Sequence, residues 1–566
     1  MQKNVSKIYP QKWVRLLILL GFCAGLYFVN LGQWDLWNPD EPRYAQVAKE
    51  IVKGGDWILM HLNGKTYGDK PPLFFWLIGL SSYLWGDFTP FSVRFPSALF
   101  GTLTVILTFF MGRSLYTSRT GFLSGLILAT SVEFAYLSTR GSIDATLTFF
   151  TTASLLCFFQ WHRDRLLHPS PFPSGEREGV RGTSPGHESL IKNLLIYGFY
   201  MSMALATLTK GPVGFILPLL VSLIYLLILR DWKGIKRMRL LSGMALFLVV
   251  VLLWYLPAVA RGGDAYLRET LFKHTVDAYA KGWTHVRPIY YYFYNFPLDF
   301  LPWFVFLPAA IAYAYSREMN EKRKNSLFLL VWFVVIFVFF TLSKGKRAIY
   351  LLPLYPAASL MVGKLWDDFI SGHMDSFRQE WISLPLYGFA GLVLVAGAAT
   401  PWVVSTRLPD YFPYSLPMAF VLAVGGLALF VFYRFKKYGT VLFLIVIMIA
   451  VGFFYTLRVV FPLVNPFKSA RFISQEVNSR IQPGEKLGLY GGWGPGPYNF
   501  YTGIVPIVEL EKKEDLLHFL QSSERVFCLL TFRDFRSFQT KEGWPEVQLI
   551  DRRGVGGNDM VLISNR

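Results

Sequence analysis

Two adjacent carboxylates, Asp40 and Glu41, stand just after the first apolar segment of the chain. Asp69 and Lys70 follow within the same polar stretch, which covers positions 34–76. A carboxylate at a membrane boundary is expected to have a raised pKa and to suit general-base catalysis. One acid of the pair could take a proton from an acceptor hydroxyl, while the other could hold a cation or orient its neighbour. The alternative is an ordinary loop in which the two acids only favour the start of a helix.

Cationic side chains at the ends of other apolar segments are candidates for binding an anion. Lys210 stands in the turn TKGP, and the group SKGKR contains Lys344, Lys346 and Arg347. Burying those last three charges at the centre of a bilayer would cost roughly 8 to 10 kcal/mol, so we expect them near the membrane surface or paired with anions. Lys70 is followed by two prolines, and at headgroup height it could bind phosphate or snorkel to lipid headgroups. A lipid phosphate is the anion that fits these positions best.

Asp144 and Tyr350 extend the candidate site beyond the first polar stretch. Asp144 follows a short loop at the outer end of the fourth apolar segment. It could be the partner of a catalytic base, or it could merely favour the helix dipole. Tyr350 comes one helical turn after Lys346, which predicts that both line the same wall.

The loop at 260–298 contains His274, Asp277 and His285. A single histidine in a loop is more often structural or solvated than a ligand. Near the external carboxylates, however, these side chains could complete a site for a divalent metal ion.

Composition restricts the class of protein strongly. A chain of 566 residues that is 53% hydrophobic and 17% aromatic cannot bury its apolar surface in soluble domains, so lipid must be its main solvent. The formal net charge is +19, but the basic residues lie in short loops rather than on one face of a domain, which argues against nucleic acid as a partner. The three cysteines have neither metal-type nor disulfide-type spacing. We therefore predict an all-α polytopic membrane protein in contact with the lipid bilayer.

Apolar runs of about 17 to 22 residues predict about thirteen membrane-spanning helices. They lie at 13–30, 94–112, 118–137, 143–161, 191–209, 213–230, 240–259, 299–315, 327–342, 347–363, 382–404, 415–433 and 440–460. The run at 73–86 is too short to span and predicts a helix at the membrane interface. The first span resembles a signal anchor that is retained. Basic loops on one side predict a cytoplasmic N-terminus and an extracytoplasmic C-terminus.

The chain divides into a transmembrane domain at 1–460 and a small α/β domain at 461–566, where short β-type runs alternate with amphipathic stretches. The transmembrane domain has an external loop at 31–93 and a Pro-, Gly- and Ser-rich loop at 168–189, predicted to be cytoplasmic and disordered. The glycine-rich run at 490–496 does not have nucleotide-binding spacing and predicts a turn. We expect the C-terminal domain to cap the external face or to meet an acceptor.

Five motifs occur in an order that resembles a known family: WNPDEPRYA, GDKPPLFFWL, the loop before Asp144, LTKGP and SKGKRAIYLLPLYP. Over residues 10–365 the chain resembles bacterial lipid-A aminoarabinose transferases and their relatives, the protein O-mannosyltransferases. The resemblance implies a GT-C membrane fold with about thirteen spans and a large external cavity. It also implies transfer of a sugar from an undecaprenyl- or polyprenyl-phosphate donor to lipid A, another glycan or a protein. Such a protein belongs in the bacterial inner membrane.

The resemblance further implies roles for individual residues. Asp40 matches the catalytic acid of the first external loop, with Glu41 beside it, and Asp144 matches the second acid. Lys70 matches a lysine that contacts phosphate, and SKGKR matches a wall around the donor phosphate.

A divalent metal ion is also implied by the resemblance. In the aminoarabinose enzymes a glutamate precedes the phosphate-contacting lysine and binds a metal together with a loop histidine. Here the corresponding acid is Asp69, and His274 is the best-placed histidine.

Two other classes of protein remain as alternatives. A transporter or flippase of lipid-linked sugars would have ionisable residues near mid-membrane and often internal repeats. A sensory or scaffold protein would not need acids and cations at the ends of so many separate spans. The grouping of charges at one membrane face favours an enzyme over both.

Overall fold

The structure, a computed structural model, describes residues 8–167, 185–270, 285–316, 319, 322–374, 377–540 and 543–566. Within these ranges nine helices are long and apolar enough to cross a membrane, and up to eleven spans result if each of two bent pairs is one span. The described chain is thus mainly helical, with a small sheet near its C-terminus. Of the loop predicted at 168–189, residues 168–184 lie outside the described part, and Pro185 begins a helix.

The helices up to residue 468 are numbered in chain order. They are α1 (Ile8–Cys23, continued by a π-helical turn at Ala24–Phe28), α2 (Asp40–Gly54), α3 (Leu73–Leu84), α4 (Pro90–Leu115), α5 (Ser118–Ala129), α6 (Val132–Ser138), α7 (Ile143–Leu167), α8 (Pro185–Lys210), α9 (Val213–Ile228), α10 (Trp232–Arg237), α11 (Leu240–Arg268), α12 (Tyr291–Asp299), α13 (Leu307–Ala314), α14 (Arg323–Leu342), α15 (Tyr355–Ser371), α16 (Glu380–Arg407), α17 (Phe412–Arg434), α18 (Tyr438–Tyr455) and α19 (Phe461–Lys468). Short 3-10 helices precede α13 (Trp303–Phe306), α15 (Ala348–Leu354) and α17 (Pro409–Tyr411).

All thirteen predicted spans fall on apolar helical segments. Nine correspond to the long helices and two to the bent pairs, while 13–30 falls on α1 with its π-helical turn and 213–230 on α9. The last two are short, since α1 and α9 each have 16 residues, which is why length and composition give nine to eleven spans. The prediction of an all-α polytopic membrane protein is confirmed.

Two predicted spans are bent rather than straight. Helices α5 and α6 meet at 73°, and α12 meets the helical segment from 303 to 314 at 109°. At the first bend the Ser131 amide donates to the Leu128 carbonyl at 3.2 Å, and the Ser131 hydroxyl donates at 2.8 Å to the Ile127 carbonyl, which satisfies the acceptor that the break frees. At the second bend Pro302 lacks the amide hydrogen that a continuous helix needs.

The C-terminal domain has one five-stranded sheet. Its elements are α20 (Arg471–Arg480), β3 (Lys486–Tyr490), α21 (Gly496–Thr502), β4 (Val508–Leu510), α22 (Lys513–Leu520), β5 (Val526–Thr531), α23 (Phe532–Gln539), β6 (Gln548–Val555) and β7 (Asn558–Ser564), while β1 (His61–Leu62) and β2 (Lys65–Thr66) form a hairpin in the external loop. The strand order is β4-β3-β5-β7-β6, with the first three strands parallel and β7 antiparallel to both neighbours.

Each predicted β-type run in the C-terminal domain forms a strand. The central strand β5 is buried on both faces, with Phe527 and Leu529 in one apolar cluster and Cys528 and Leu530 in the other. Such a strand has a continuous apolar sequence, and VFCLLT fits this description. Before the domain begins, helical structure continues to Lys468, past the predicted boundary at 460.

The external loop at 31–93 packs between the membrane helices and the C-terminal domain. Its helix α2 has a buried face that packs against α3 through Tyr44, Phe74 and Phe75 and against the C-terminal domain through Phe500. The run at 73–86 forms α3, whose C-terminal end leaves Tyr83 exposed. This packing fixes the start of α2, where the first candidate site residues lie.

Candidate active site

Asp40 is the first residue of α2, and two guanidinium groups hold its carboxylate. The Arg43 Nη2 donates to Asp40 Oδ1 and the Arg347 Nη2 to Asp40 Oδ2, both at 2.8 Å. Burial acts to raise the pKa of Asp40, but Arg347, Arg43 and the more distant Lys70 outweigh it, so the pKa is lowered. The raised pKa expected at a membrane boundary is therefore wrong for Asp40, because arginines from two parts of the chain stabilise its ionised form.

Asp69 lies beside Lys70 and is connected to Asp40 through Arg43. The Lys70 ammonium donates to Asp69 Oδ1 at 2.7 Å, and the Tyr67 hydroxyl donates to Asp69 Oδ2 at 3.1 Å. The Arg43 Nη1 is 3.5 Å from Asp69 Oδ2. Arg43 thus bridges the two acids that the sequence placed in one polar stretch.

Asp144 and Lys210 form a second pair on the same side of the protein. The Lys210 ammonium, at the end of α8, donates to the Asp144 carboxylate at the start of α7, and both side chains are largely buried. The Lys210 ammonium also lies 4.4 Å from the centre of the Tyr350 ring, a cation–π geometry. The Tyr350 amide donates to the Arg347 carbonyl at 3.1 Å. Both acids are therefore connected to the segment at 347–350. Asp40 contacts it directly through Arg347, and Asp144 contacts it through Lys210, which lies against the Tyr350 ring.

The three cations of SKGKR differ in their surroundings. Arg347 faces Asp40, as described above, whereas the Lys344 side chain is exposed. Lys346 is 4% exposed, and its ammonium donates to the backbone carbonyls of Ser343 and Arg287. The phosphate-binding roles of these residues remain predictions, and within the group Arg347 has the geometry best suited to contact a ligand near Asp40.

Glu41 is 1% exposed and accepts hydrogen bonds on both carboxylate oxygens. Arg94 donates from Nε at 2.7 Å and from Nη2 at 3.1 Å, and Arg140 donates from Nη2 at 2.9 Å. The backbone amides of Trp37 and Gly141 complete the set at 2.9 and 2.8 Å. Burial acts to raise the pKa of Glu41, but the two arginines lower it to about 2. These contacts favour an orienting role for Glu41 rather than proton transfer.

Several residues of this site were not identified from the sequence. Arg43 follows Asp40 by three positions, a spacing at which helical side chains meet, so its role could have been inferred. Arg94 is a charge at the start of a predicted span, which is itself a signal of a buried partner. Its partner Glu41 lies 53 positions away, and no local pattern connects the two.

The metal site predicted at Asp69 and His274 stays a prediction, because His274 lies outside the described residues. Among the residues that the structure does describe, no group of three or more His, Cys, Asp or Glu side chains could hold a metal ion. Three of the side chains in contact with Asp69 are those of Lys70, Tyr67 and Arg43.

The fold is similar to that of known membrane glycosyltransferases. Residues 12–262 match the family described as dolichyl-phosphate-mannose-protein mannosyltransferase. The crystal structure of ArnT from Cupriavidus metallidurans bound to undecaprenyl phosphate superposes with a TM-score of 0.78 over 98% of both chains, at 19% identity. The Archaeoglobus fulgidus oligosaccharyltransferase superposes with a TM-score of 0.52 over 92% of this chain and 69% of that one, at 11% identity. The chain therefore has the fold of these multi-pass membrane glycosyltransferases.

Sequence relatives define the family more closely. The undecaprenyl phosphate-alpha-4-amino-4-deoxy-L-arabinose arabinosyl transferase of Pseudomonas aeruginosa strain UCBPP-PA14 is 31% identical over 420 residues, covering 74% of this chain and 70% of the relative. The protein of the same name from Aeromonas hydrophila is 30% identical over 391 residues, covering 68% and 65%. The chain belongs to this family of arabinosyl transferases.

Proposed function

We propose that the protein transfers a sugar from an undecaprenyl- or related polyprenyl-phosphate donor to an acceptor of the cell envelope such as lipid A, another glycan or a protein. The observation that carries this proposal is the contact of Asp40 with Arg347, which joins the acid of the first external loop to the cationic segment at 343–347. A carboxylate and phosphate-binding cations in one place are what glycosyl transfer from a lipid phosphate requires. The names of the relatives support the same donor class.

The location of the site supports an orientation in the bacterial inner membrane. The loop at 31–93 and the segment at 343–347 contact each other, so they lie on one side. The loops on the opposite side of the membrane are rich in basic residues, which indicates that this side is cytoplasmic. We infer a cytoplasmic N-terminus and an extracytoplasmic C-terminal domain.

This orientation can be tested with a cysteine added at the C-terminus. A membrane-impermeant thiol reagent should label that cysteine in intact spheroplasts, and protection of the cysteine from the reagent would contradict the orientation.

The first step of the proposed mechanism is binding of the donor phosphate. Lys70 and Arg347 bind the phosphate, and Lys210 beside Tyr350 adds positive charge to the wall. Because Arg347 then shares its donor groups between the phosphate and Asp40, the pKa of Asp40 rises towards the working pH. Donor binding thus prepares Asp40 to act as a base.

In the second step, Asp40 takes the proton of the acceptor hydroxyl while the hydroxyl oxygen forms a bond to the anomeric carbon of the sugar. The bond between that carbon and the phosphate oxygen breaks, and the polyprenyl phosphate leaves with the electron pair. Lys70 and Arg347 stabilise the charge that develops on the departing phosphate. If a phosphate of the acceptor is the nucleophile instead, it needs no base, and Asp40 then orients Arg43 and Arg347.

Transfer can be tested with purified protein in lipid nanodiscs. The donor is undecaprenyl phosphate carrying a radiolabelled 4-amino-4-deoxy-arabinose, and the acceptor is lipid A. We expect the label to move to the acceptor and free undecaprenyl phosphate to form. Label that crosses the membrane of a proteoliposome while still attached to the donor would instead support a flippase. Failure to transfer the label to lipid A, glycan or peptide acceptors would contradict the proposal.

Replacing Lys70 with glutamine should weaken the use of the donor. A hydrogen bond to a charged group contributes about 1.5 to 3 kcal/mol, so we expect kcat/KM for the donor to fall by roughly 10- to 150-fold. The matched control is Lys53→Gln, since Lys53 is an exposed lysine of the same external loop. Equal donor kinetics in the two variants would remove Lys70 from the phosphate site.

A further inference from the structure

We propose that the C-terminal domain positions the chain around Asp40 for catalysis, with Gly496 and Tyr501 as the positioning residues. This inference rests on the transfer function proposed above and gives a positioning role to Gly496, the last residue of the glycine-rich run at 490–496. The domain then raises the rate of sugar transfer, in addition to covering the external face of the protein. Three sets of contacts connect the domain to the chain around Asp40.

The first set holds the three residues at 35–37, just before the Asp40 segment. The Tyr501 hydroxyl accepts from the Leu36 amide at 2.8 Å and donates to the Leu36 carbonyl at 3.0 Å. Asn465, at the end of the last membrane helix, accepts from the Asp35 amide at 3.1 Å and from the Trp37 indole at 2.8 Å. These bonds fix both faces of the extended chain that leads into α2.

The same stretch is linked directly to the acids of α2. The Trp37 amide donates to the Glu41 carboxylate at 2.9 Å, and Glu41 is the neighbour of Asp40. A shift of the stretch at 35–37 would therefore move the anchor of Glu41 and, with it, the first turn of α2. Tyr501 thus acts on Asp40 through backbone and not through direct contact.

In the second set, the backbone at Gly496 lies close to Arg43. A methyl group added at Gly496 would lie 3.1 Å from the Arg43 Cα and 3.2 Å from its Cβ. Arg43 binds Asp40 at 2.8 Å and lies 3.5 Å from the Asp69 carboxylate. Glycine at position 496 is thus what allows the domain to lie directly against the arginine that joins the two acids.

The third set fixes the domain to the external hairpin. Asn63 is 2% exposed, and its amide group donates to the Ile507 carbonyl at 2.9 Å and to Glu509 at 3.0 Å. The Asn63 side-chain oxygen accepts from the Ile507 amide at 2.7 Å and from the Asn499 amide group at 2.8 Å. With every polar atom of the Asn63 side chain bonded across the boundary, the domain is held against the external loop.

Charged and titratable groups from several elements surround Asp40, and Arg43 among them lies directly against Gly496 of the domain. The set comprises Arg43 and Tyr44 on α2, Asp69 and Lys70 in the external loop, His285, and Arg347 and Tyr350 of the 343–350 segment. Arg43 and Arg347 lower the pKa of Asp40. A displaced Arg43 would therefore leave Asp40 with a higher pKa.

The test compares Gly496→Ala with Gly494→Ala in the full-length protein. An added methyl at Gly494 meets no atom within 4 Å, so this variant is a matched control in the same loop. A misplacement of about 1 Å costs about 100-fold in rate, and the added methyl displaces its neighbour by a few tenths of an ångström, so we expect kcat of Gly496→Ala to fall roughly 3- to 10-fold. The donor KM should change much less, and the acidic limb of the pH profile of kcat should move to higher pH. Gly494→Ala should keep the wild-type kcat and profile.

A second pair of variants decides the matter if Gly496→Ala does not fold. Tyr501→Phe loses both bonds to Leu36 and should lower kcat by about tenfold, because misplaced groups react slowly. Tyr498→Phe lies on the same helix, and its hydroxyl makes no hydrogen bond within the described ranges, so kcat should be unchanged. Equal kcat values and equal pH profiles within each pair would overturn the positioning role. That result differs from failure of the proposed function, in which the wild-type protein would not transfer sugar at all.

Discussion

Replacing Asp40 with asparagine is expected to lower the rate of sugar transfer by about 10²- to 10⁴-fold. Asparagine has nearly the same shape, but its amide cannot take the proton of the acceptor hydroxyl. It also removes the negative charge that holds Arg43 and Arg347 in place. The measurement is the initial rate of label transfer from a radiolabelled polyprenyl-phosphate sugar, at saturating donor and acceptor.

Asp87→Asn is the control for this experiment. Asp87 belongs to the same external loop, but it is exposed, and among the described residues its carboxylate accepts only from the neighbouring Phe88 amide. We expect this variant to transfer sugar at the wild-type rate. An Asp40→Asn protein as active as Asp87→Asn would show that Asp40 is not the base.

Glu41→Gln is expected to destabilise the protein by about 3 to 5 kcal/mol, the usual cost of removing one partner from a buried ion pair. The carboxylate lies between Arg94 and Arg140, and the first of these is 0% exposed. Since the pKa of Glu41 is about 2, the group is ionised at neutral pH and neutralises buried positive charge there. The measurement is the apparent unfolding temperature in detergent, together with the yield of folded protein.

Two controls separate this effect from ordinary surface changes. Glu476→Gln removes a partly exposed ion pair with Arg480, which contributes about 0 to 1 kcal/mol. The second control is a titration with acid. Because the pKa of Glu41 is lower in the folded protein than its ordinary value of 4.5, the ionised Glu41 carboxylate stabilises the fold above pH 4.5. This stabilisation is lost as the pH falls towards 2 and the carboxylate is protonated. The wild type should lose stability over that range more steeply than Glu41→Gln. Similar stabilities for the two glutamine variants at pH 7 would contradict the role of Glu41.

The local sequence was sufficient to predict most of the secondary structure. Continuous apolar runs mark helices in lipid, and the runs at 486–490 and 526–531 have the length and composition of buried strands. The bend after Ala129 was not predicted, because Thr130 and Ser131 do not interrupt the apolar pattern. Hydropathy reports that a segment prefers lipid, but not whether its helix is straight.

The composition of the candidate site was predictable in part, but its pairing was not. The motifs identified Asp40 and Arg347, which lie 307 positions apart, and no local pattern shows that they touch. For the same reason the predicted direction of the Asp40 pKa shift was wrong. Burial, which raises the pKa, could be expected from the sequence, but the two arginine partners that lower it could not. Likewise, nothing in SKGKR distinguishes Lys346, which donates to backbone carbonyls, from Arg347.

A structure of the protein in a lipid nanodisc with undecaprenyl phosphate, determined by cryo-electron microscopy, would show directly whether the donor phosphate binds beside Asp40. We expect phosphate density at hydrogen-bonding distance, about 3 Å, from the Lys70 ammonium and the Arg347 guanidinium. We also expect Asp40 to remain next to that phosphate. Phosphate density at the opposite membrane face, or away from both Lys70 and the segment at 343–350, would rule out this site.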